Sequence, residues 1–204
     1  MDNNQNKPAA TRHEHISTIP HRGLGVSGTV SSILINSDMD HPCYRYTCYI
    51  DDFVASPDHY NELIHVLYNA EEGDEVEILI NSYGGWVETG ISILTALKYT
   101  NAKVTSVAYG IAASIAAIIW AACPNRKVSD NATIMFHMPS GMFGGKASDT
   151  EEETHNMQAY FTGVLKRLAK DGLLSEDEIN DIVTNRRDFY MSGEKIKSLN
   201  SAAI

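Results

Sequence analysis

The amino-acid sequence predicts an α/β domain in which strands and helices alternate along the chain. Two apolar runs, Glu75–Asn81 and Val104–Tyr109, have strand composition, and each leads through small residues into a helical pattern. After the first comes the turn-like Ser82-Tyr83-Gly84-Gly85, then Val87, Ile91, Leu94 and Leu97 at helical spacing. After the second comes the alanine-rich stretch Ala113–Ala122. Such alternation implies parallel strands joined by right-handed crossovers, with sites where strands end and helices begin. The junctions Asn81–Gly85 and Gly110–Ser114 are therefore the first places to look for chemistry.

The other elements come in order. Thr29–Asn36 and Tyr44–Ile50 read as strands; in the second, Tyr44, Tyr46, Cys48 and Ile50 alternate with more polar partners. Ser56-Pro57 supplies a cap and a proline at the first helical position, so a helix should run to about Ala70. Thr133–Met138 reads as a strand. Ser140–Gly145 is glycine-rich and needs its neighbours to hold one conformation. Thr150 with Glu153 matches a capping box, and the helix behind it carries Met157, Tyr160, Phe161, Val164, Leu165 and Leu168 before Gly172. Ser175 with Glu178 opens a shorter helix, and Ser192 caps a last one. No internal repeat or second domain is apparent. Residues 1–25 read as a flexible polar arm, and 26–204 as one folded unit.

Composition narrows the function. The chain has 204 residues, 43% hydrophobic and 21% charged, as expected for a soluble globular domain with a substantial core. A net charge of −10 argues against nucleic acid, which demands a basic surface. The three cysteines, Cys43, Cys48 and Cys123, are odd in number and lack ligand spacing; free thiols in a reducing compartment are the default. No His-x-x-x-His or Cys/His cluster suggests a metal, and no cofactor motif appears. The first residues lack an apolar signal-peptide core, which points to the cytoplasm. Val104–Cys123 is uncharged and long enough to span a membrane, but a buried strand followed by a buried helix explains it better.

Four features could carry chemistry, and each has a plainer alternative. Ser114 opens a helix, where unpaired N–H groups favour an anion and the Ile115 amide could receive an oxyanion; it is equally a helix cap. The hydrolase elbow Gly-x-Ser-x-Gly is absent. Gly84-Gly85 allows close backbone approach to a substrate, or is only a tight turn; a phosphate loop would need the missing lysine. His137, after an apolar strand, is a general base or a structural histidine. Asp188, after Arg186-Arg187, is an orienting acid or a solvated partner of arginine, and nothing local separates it from Asp177 or Asp181.

Taken in order, these strings resemble the Clp peptidase family from about Ile50 to Asn200. The carriers are Asn81-Ser82-Tyr83-Gly84-Gly85, Glu88-Thr89-Gly90-Ile91-Ser92, Gly110-Ile111-Ala112-Ala113-Ser114, Phe136-His137-Met138-Pro139, Ala147-Ser148-Asp149 and Arg187-Asp188-Phe189-Tyr190-Met191-Ser192. The resemblance implies the ClpP/crotonase-like fold, a spiral of β-β-α units with a protruding helix-strand handle over residues 139–171. It implies a serine endopeptidase with Ser114 as nucleophile, His137 as base and Asp188 as acid. It places the oxyanion hole at the Gly85 and Ile115 amides. An extended substrate would lie along Gly84, Gly85, Trp86 and Val87 and along Pro139, Ser140 and Gly141. Implied partners are polypeptide substrates and further copies of the chain, in heptameric rings that pair into a tetradecamer; no membrane is involved.

The pattern also departs from the family. Tyr83 stands where proline is usual, and Trp86 where a small aliphatic residue is. Glu77 and Leu79 fall where family aromatics help a Clp-type ATPase dock, and a carboxylate in an apolar pocket is costly unless paired. The expectation is that this ATPase does not dock, or docks differently. Such divergence suits a bacteriophage-encoded member acting on capsid proteins. Two other classes of function remain in view: a ring-forming structural homologue without activity, and an acyl-CoA enzyme using the oxyanion hole alone.

Overall fold

The computed structural model describes residues 28–36, 42–139 and 147–202, with side chains described except at 36, 147–154 and 200–202. The expectations for the N-terminal arm and for the whole glycine-rich segment Ser140–Gly145, with Ser140 and Gly141 in it, fall outside these residues. Among the described residues, seven strands form one sheet: β1 (Val30–Asn36), β2 (Cys43–Val54), β3 (Glu75–Gly85), β4 (Lys103–Ala113), β5 (Asn125–Val128), β6 (Thr133–Phe136) and β7 (Phe189–Ser192). The helices are α1 (Asn61–Asn69), α2 (Val87–Tyr99), α3 (Ile115–Ala122), α4 (Ala147–Lys170), α5 (Glu176–Val183) and α6 (Gly193–Ala202).

The strand order is β1-β2-β3-β4-β6-β7, with β5 also paired to β4. As expected of crossover units, β2, β3, β4, β5 and β6 run parallel where they pair, while β1 and β7 add antiparallel edges. Strand β4 has two successive neighbours on one side. Thr105–Ala108 pair with β5, and Ile111–Ala113 pair with β6.

One face of the central strands is buried throughout, through Tyr46, Cys48 and Ile50, then Val76, Ile78 and Ile80, then Val104, Ser106 and Ala108. This is the period-two burial that a half-covered sheet imposes. Helix α3 packs on β3 and β4 and is buried from Ile115 to Ala121, which accounts for its lack of any polar residue. The uncharged run Val104–Cys123 is thus the core strand β4 plus the core helix α3. Among the described residues, no helix is long and apolar enough to cross a membrane.

Local signals hold at several ends. Ser56-Pro57 opens a 3-10 turn, Pro57–Tyr60, that leads into α1. Ser175 and Glu178 form a reciprocal capping box at α5. The Ser192 hydroxyl accepts from the Lys195 amide at 3.2 Å. Other ends differ from expectation. Helix α4 starts at Ala147, ahead of the Thr150 box. Residues Ser82–Gly85 continue β3 rather than leaving it as a turn, because β2 offers partners up to Val54.

Candidate active site

The chemistry-bearing residues gather at the C-terminal ends of β3, β4 and β6. Ser114 joins β4 to α3 and has φ 56°, ψ −127°, a conformation rare outside glycine. A strained residue of this kind costs on the order of 1–3 kcal/mol and persists only where its surroundings impose it. Here its amide donates to the Met135 carbonyl at 3.0 Å, and its carbonyl accepts from the Ile118 amide at 3.1 Å. One end is held by β6 and the other by the first turn of α3.

That backbone directs the Ser114 hydroxyl at His137. Oγ and His137 Nε2 lie 2.7 Å apart, a full hydrogen bond. His137 directly follows β6, the strand that also anchors the Ser114 amide. On the other side of the ring, Asp188 Oδ1 is 3.8 Å from Nδ1, at ion-pair range but beyond a hydrogen bond. Asp188 stands at the entry to β7, which pairs with β6 through Phe136↔Phe189. The histidine is well covered, its side chain 26% exposed, whereas that of Asp188 is 53% exposed.

The glycine pair ends β3 beside the serine. A Cβ on Gly84 would lie 2.7 Å from Ser114 Cβ, 2.8 Å from the Ala113 carbonyl oxygen and 3.4 Å from the Ile115 nitrogen. Gly84 has φ 97°, so it needs glycine for its conformation as well as for space. Its amide donates to the buried Ser82 hydroxyl at 3.2 Å, and that hydroxyl donates to the Asp52 carbonyl at 2.9 Å. Gly85 is turned toward β2, where a Cβ would meet the Val54 carbonyl oxygen at 2.3 Å and the Phe53 ring at 3.0 Å. The Ile115 amide lies in the first turn of α3, where helix geometry provides no intrahelical acceptor.

The structure therefore brings Ser114, His137, Asp188, Gly84, Gly85 and Ile115 into one locality. Trp86 and Val87 come directly after, Trp86 about half-exposed with its amide bonded to the Val54 carbonyl at 2.9 Å. Pro139, two residues past His137, is half-buried. Sequence reasoning gave no role to two neighbours. Phe53, half-exposed, lies against Gly85. Asn81 accepts through Oδ1 from the Ile111 amide at 3.0 Å, in the strand that delivers Ser114. The available signal for Asn81 was a polar residue closing an apolar strand. Among the described residues, no group of three or more His, Cys, Asp or Glu is placed to hold a metal.

The mixed sheet, with a serine and a histidine at its strand ends beside a glycine pair, fits the ClpP/crotonase-like architecture. The family model described as Clp protease matches residues 49–199, from within β2 to within α6. The chain belongs to the Clp protease family, a family of peptidases.

Proposed function

We propose that the protein is a serine endopeptidase in which Ser114 attacks the peptide carbonyl. The observation that carries this is the 2.7 Å contact between Ser114 Oγ and His137 Nε2 at the start of a helix. His137 takes the hydroxyl proton as the C–O bond forms and returns it to the leaving amine. Asp188 orients the ring and stabilises the imidazolium, its 3.8 Å spacing shortening when substrate arrives. The Gly85 and Ile115 amides stabilise the tetrahedral oxyanion, a role worth about 10²–10³ in rate per donor. An extended polypeptide lies between the Gly84–Val87 segment and the segment from Pro139 through Ser140 and Gly141.

The working form is a homo-oligomeric ring, as family membership supports, with cleavage inside its chamber. A Clp-type ATPase does not engage it in the ordinary apolar manner. Supporting this, Glu77 pairs in register with Thr47 and Thr105 and lines a depression with Arg45, Glu75, Lys103 and Lys127. That lining suits a polar contact.

The test is labelling by a fluorophosphonate probe together with cleavage of a quenched peptide library. Wild type should label and cleave, and Ser114→Ala should do neither. Cleavage undiminished in Ser114→Ala would overturn the proposal.

A further inference from the structure

We infer that Asn81 is a positioning residue that fixes Ser114 relative to both the glycine pair and His137; this rests on the reading of Ser114 as nucleophile. Between β3 and β4 the pairing runs Ile80↔Ala108 and then Ser82↔Ala112. Strand β4 therefore advances four residues where β3 advances two. Three residues, Tyr109 to Ile111, thus face the single residue Asn81 and form a bulge, and it lies where β4 exchanges β5 for β6 as its neighbour. A bulge re-aims the residues beyond it. In β4 those residues are Ala112 and Ala113, and Ser114 comes directly after them.

Asn81 is the β3 residue opposite this bulge, and its side chain takes the place of the missing rung. Its Oδ1 accepts from the Ile111 amide at 3.0 Å. The fit against the preceding residue leaves no room for a side chain: a Cβ on Gly110 would lie 2.1 Å from that same oxygen. The rest of the bulge is tied down as well. The Tyr109 hydroxyl donates to Asp51, and the Tyr109 carbonyl accepts from the Ser129 hydroxyl at 3.1 Å. From the last residue of the bulge onward, Ile111 to Ala113 pair with Thr133 to Met135, the last of these two residues before His137. The length of the bulge thus sets how far Ser114 travels past Gly84 on one side and toward His137 on the other. Asn81 holds that length by one side-chain hydrogen bond. Loss of the bond lets the Ile111 segment shift, and an error of about 1 Å at a nucleophile can cost about 10²-fold in rate.

The experiment measures saturable fluorophosphonate labelling and thermal melting for wild type, Asn81→Leu, Asn81→Asp, Gly110→Ala, Asn81→Gly, the Asn81→Gly/Gly110→Ala pair, and Ser114→Ala. Asn81→Leu should lower the maximal labelling rate about 10²-fold with an unchanged half-saturating probe concentration. Asn81→Asp keeps an acceptor and should recover most of that rate. Gly110→Ala should act like Asn81→Leu by pushing the amide away. The double variant should be no slower than Asn81→Gly alone, because the two changes disturb one contact. Full labelling in Asn81→Leu and Gly110→Ala, with Ser114→Ala silent, would overturn this inference alone. So would equal loss in Asn81→Asp and Asn81→Leu at equal melting temperature. If Asn81→Leu does not fold, Gly110→Ala and the double variant decide the matter. Labelling of Ser114→Ala at the wild-type rate would instead overturn the reading of the site itself.

Discussion

Asp188 Oδ1 stands 3.8 Å from His137 Nδ1, while the opposite nitrogen of the same ring is 2.7 Å from Ser114 Oγ. The ring is thus held more firmly by its serine than by its acid. The difference arises from support. Ser114 is fixed by backbone bonds to β6 and α3, whereas Asp188 is half-exposed at the entry to a four-residue strand. Exposed ion pairs of this length contribute little by themselves.

The first prediction comes from that inequality. Asp188→Asn should slow fluorophosphonate labelling by about 10–10²-fold, less than the roughly 10⁴-fold effect in a tightly held triad. His137→Ala should abolish it. The labelling rates of the two variants, measured side by side, check the order.

The second concerns Gly84. Gly84→Ala forces a Cβ to within 2.7 Å of Ser114 Cβ at a φ of 97°. Backbone and nucleophile must both move. We expect at least about a 10²-fold loss of labelling and a destabilisation of about 1–3 kcal/mol. Gly163→Ala is the control: nothing lies within 4 Å of its Cβ, and it sits inside α4. There alanine should stabilise by about 0.5–1 kcal/mol. Chemical denaturation reads both.

The third tests the core. Trp120 is 1% exposed in α3, and its indole N–H donates to the Lys127 carbonyl at 2.9 Å. Trp120→Ala removes the packing and should cost about 3–5 kcal/mol. Trp120→Phe keeps most of the ring but leaves that carbonyl without its donor, and should cost about 1–3 kcal/mol. Urea melts of the two variants should give that order.

The fourth is a pH dependence at α5. Burial raises the Glu178 pKa, but the Ser175 amide and hydroxyl and the Lys195 ammonium together outweigh it and hold the carboxyl below its ordinary value. A lowered acid stabilises the fold above its unfolded-state pKa of about 4.3, and that contribution fades as pH falls through the folded-state value. Glu178→Gln should therefore melt below wild type at neutral pH, and the gap should narrow on acidification. A gap that widened below pH of about 4 would contradict the argument.

Much of this organisation was legible in the chain. Strands β3 and β4 announce themselves because their burial demands apolar residues at every second position. Ser114, His137 and the glycine pair sit at strand ends, where the alternating pattern directs attention. Strand β5 was not legible: Asn-Arg-Lys-Val is polar at three of its four positions and only Val128 is buried, and it is extended only because β4 offers a free edge there. Strand β7 is equally short, and its pairing with β6 comes from tertiary contact. Asp188 owes its place to that pairing, so no local signal could separate it from Asp177 or Asp181. The bulge at Tyr109–Ile111 was hidden for a related reason. Register is a property of two strands, and one strand read alone does not contain it.

The change of neighbour along β4 has a consequence for how the molecule breathes. Its first half is stitched to a four-residue polar strand, and its second half to the strand that leads into His137. Fraying of β5 can strip protection from those amides of Thr105–Ala108 that bond to it, while the amides facing β3 and those of Ile111–Ala113 stay closed, since cooperative opening units track such local divisions. Amide exchange should then show two distinct lifetimes within one continuous strand, with the slower one nearest Ser114.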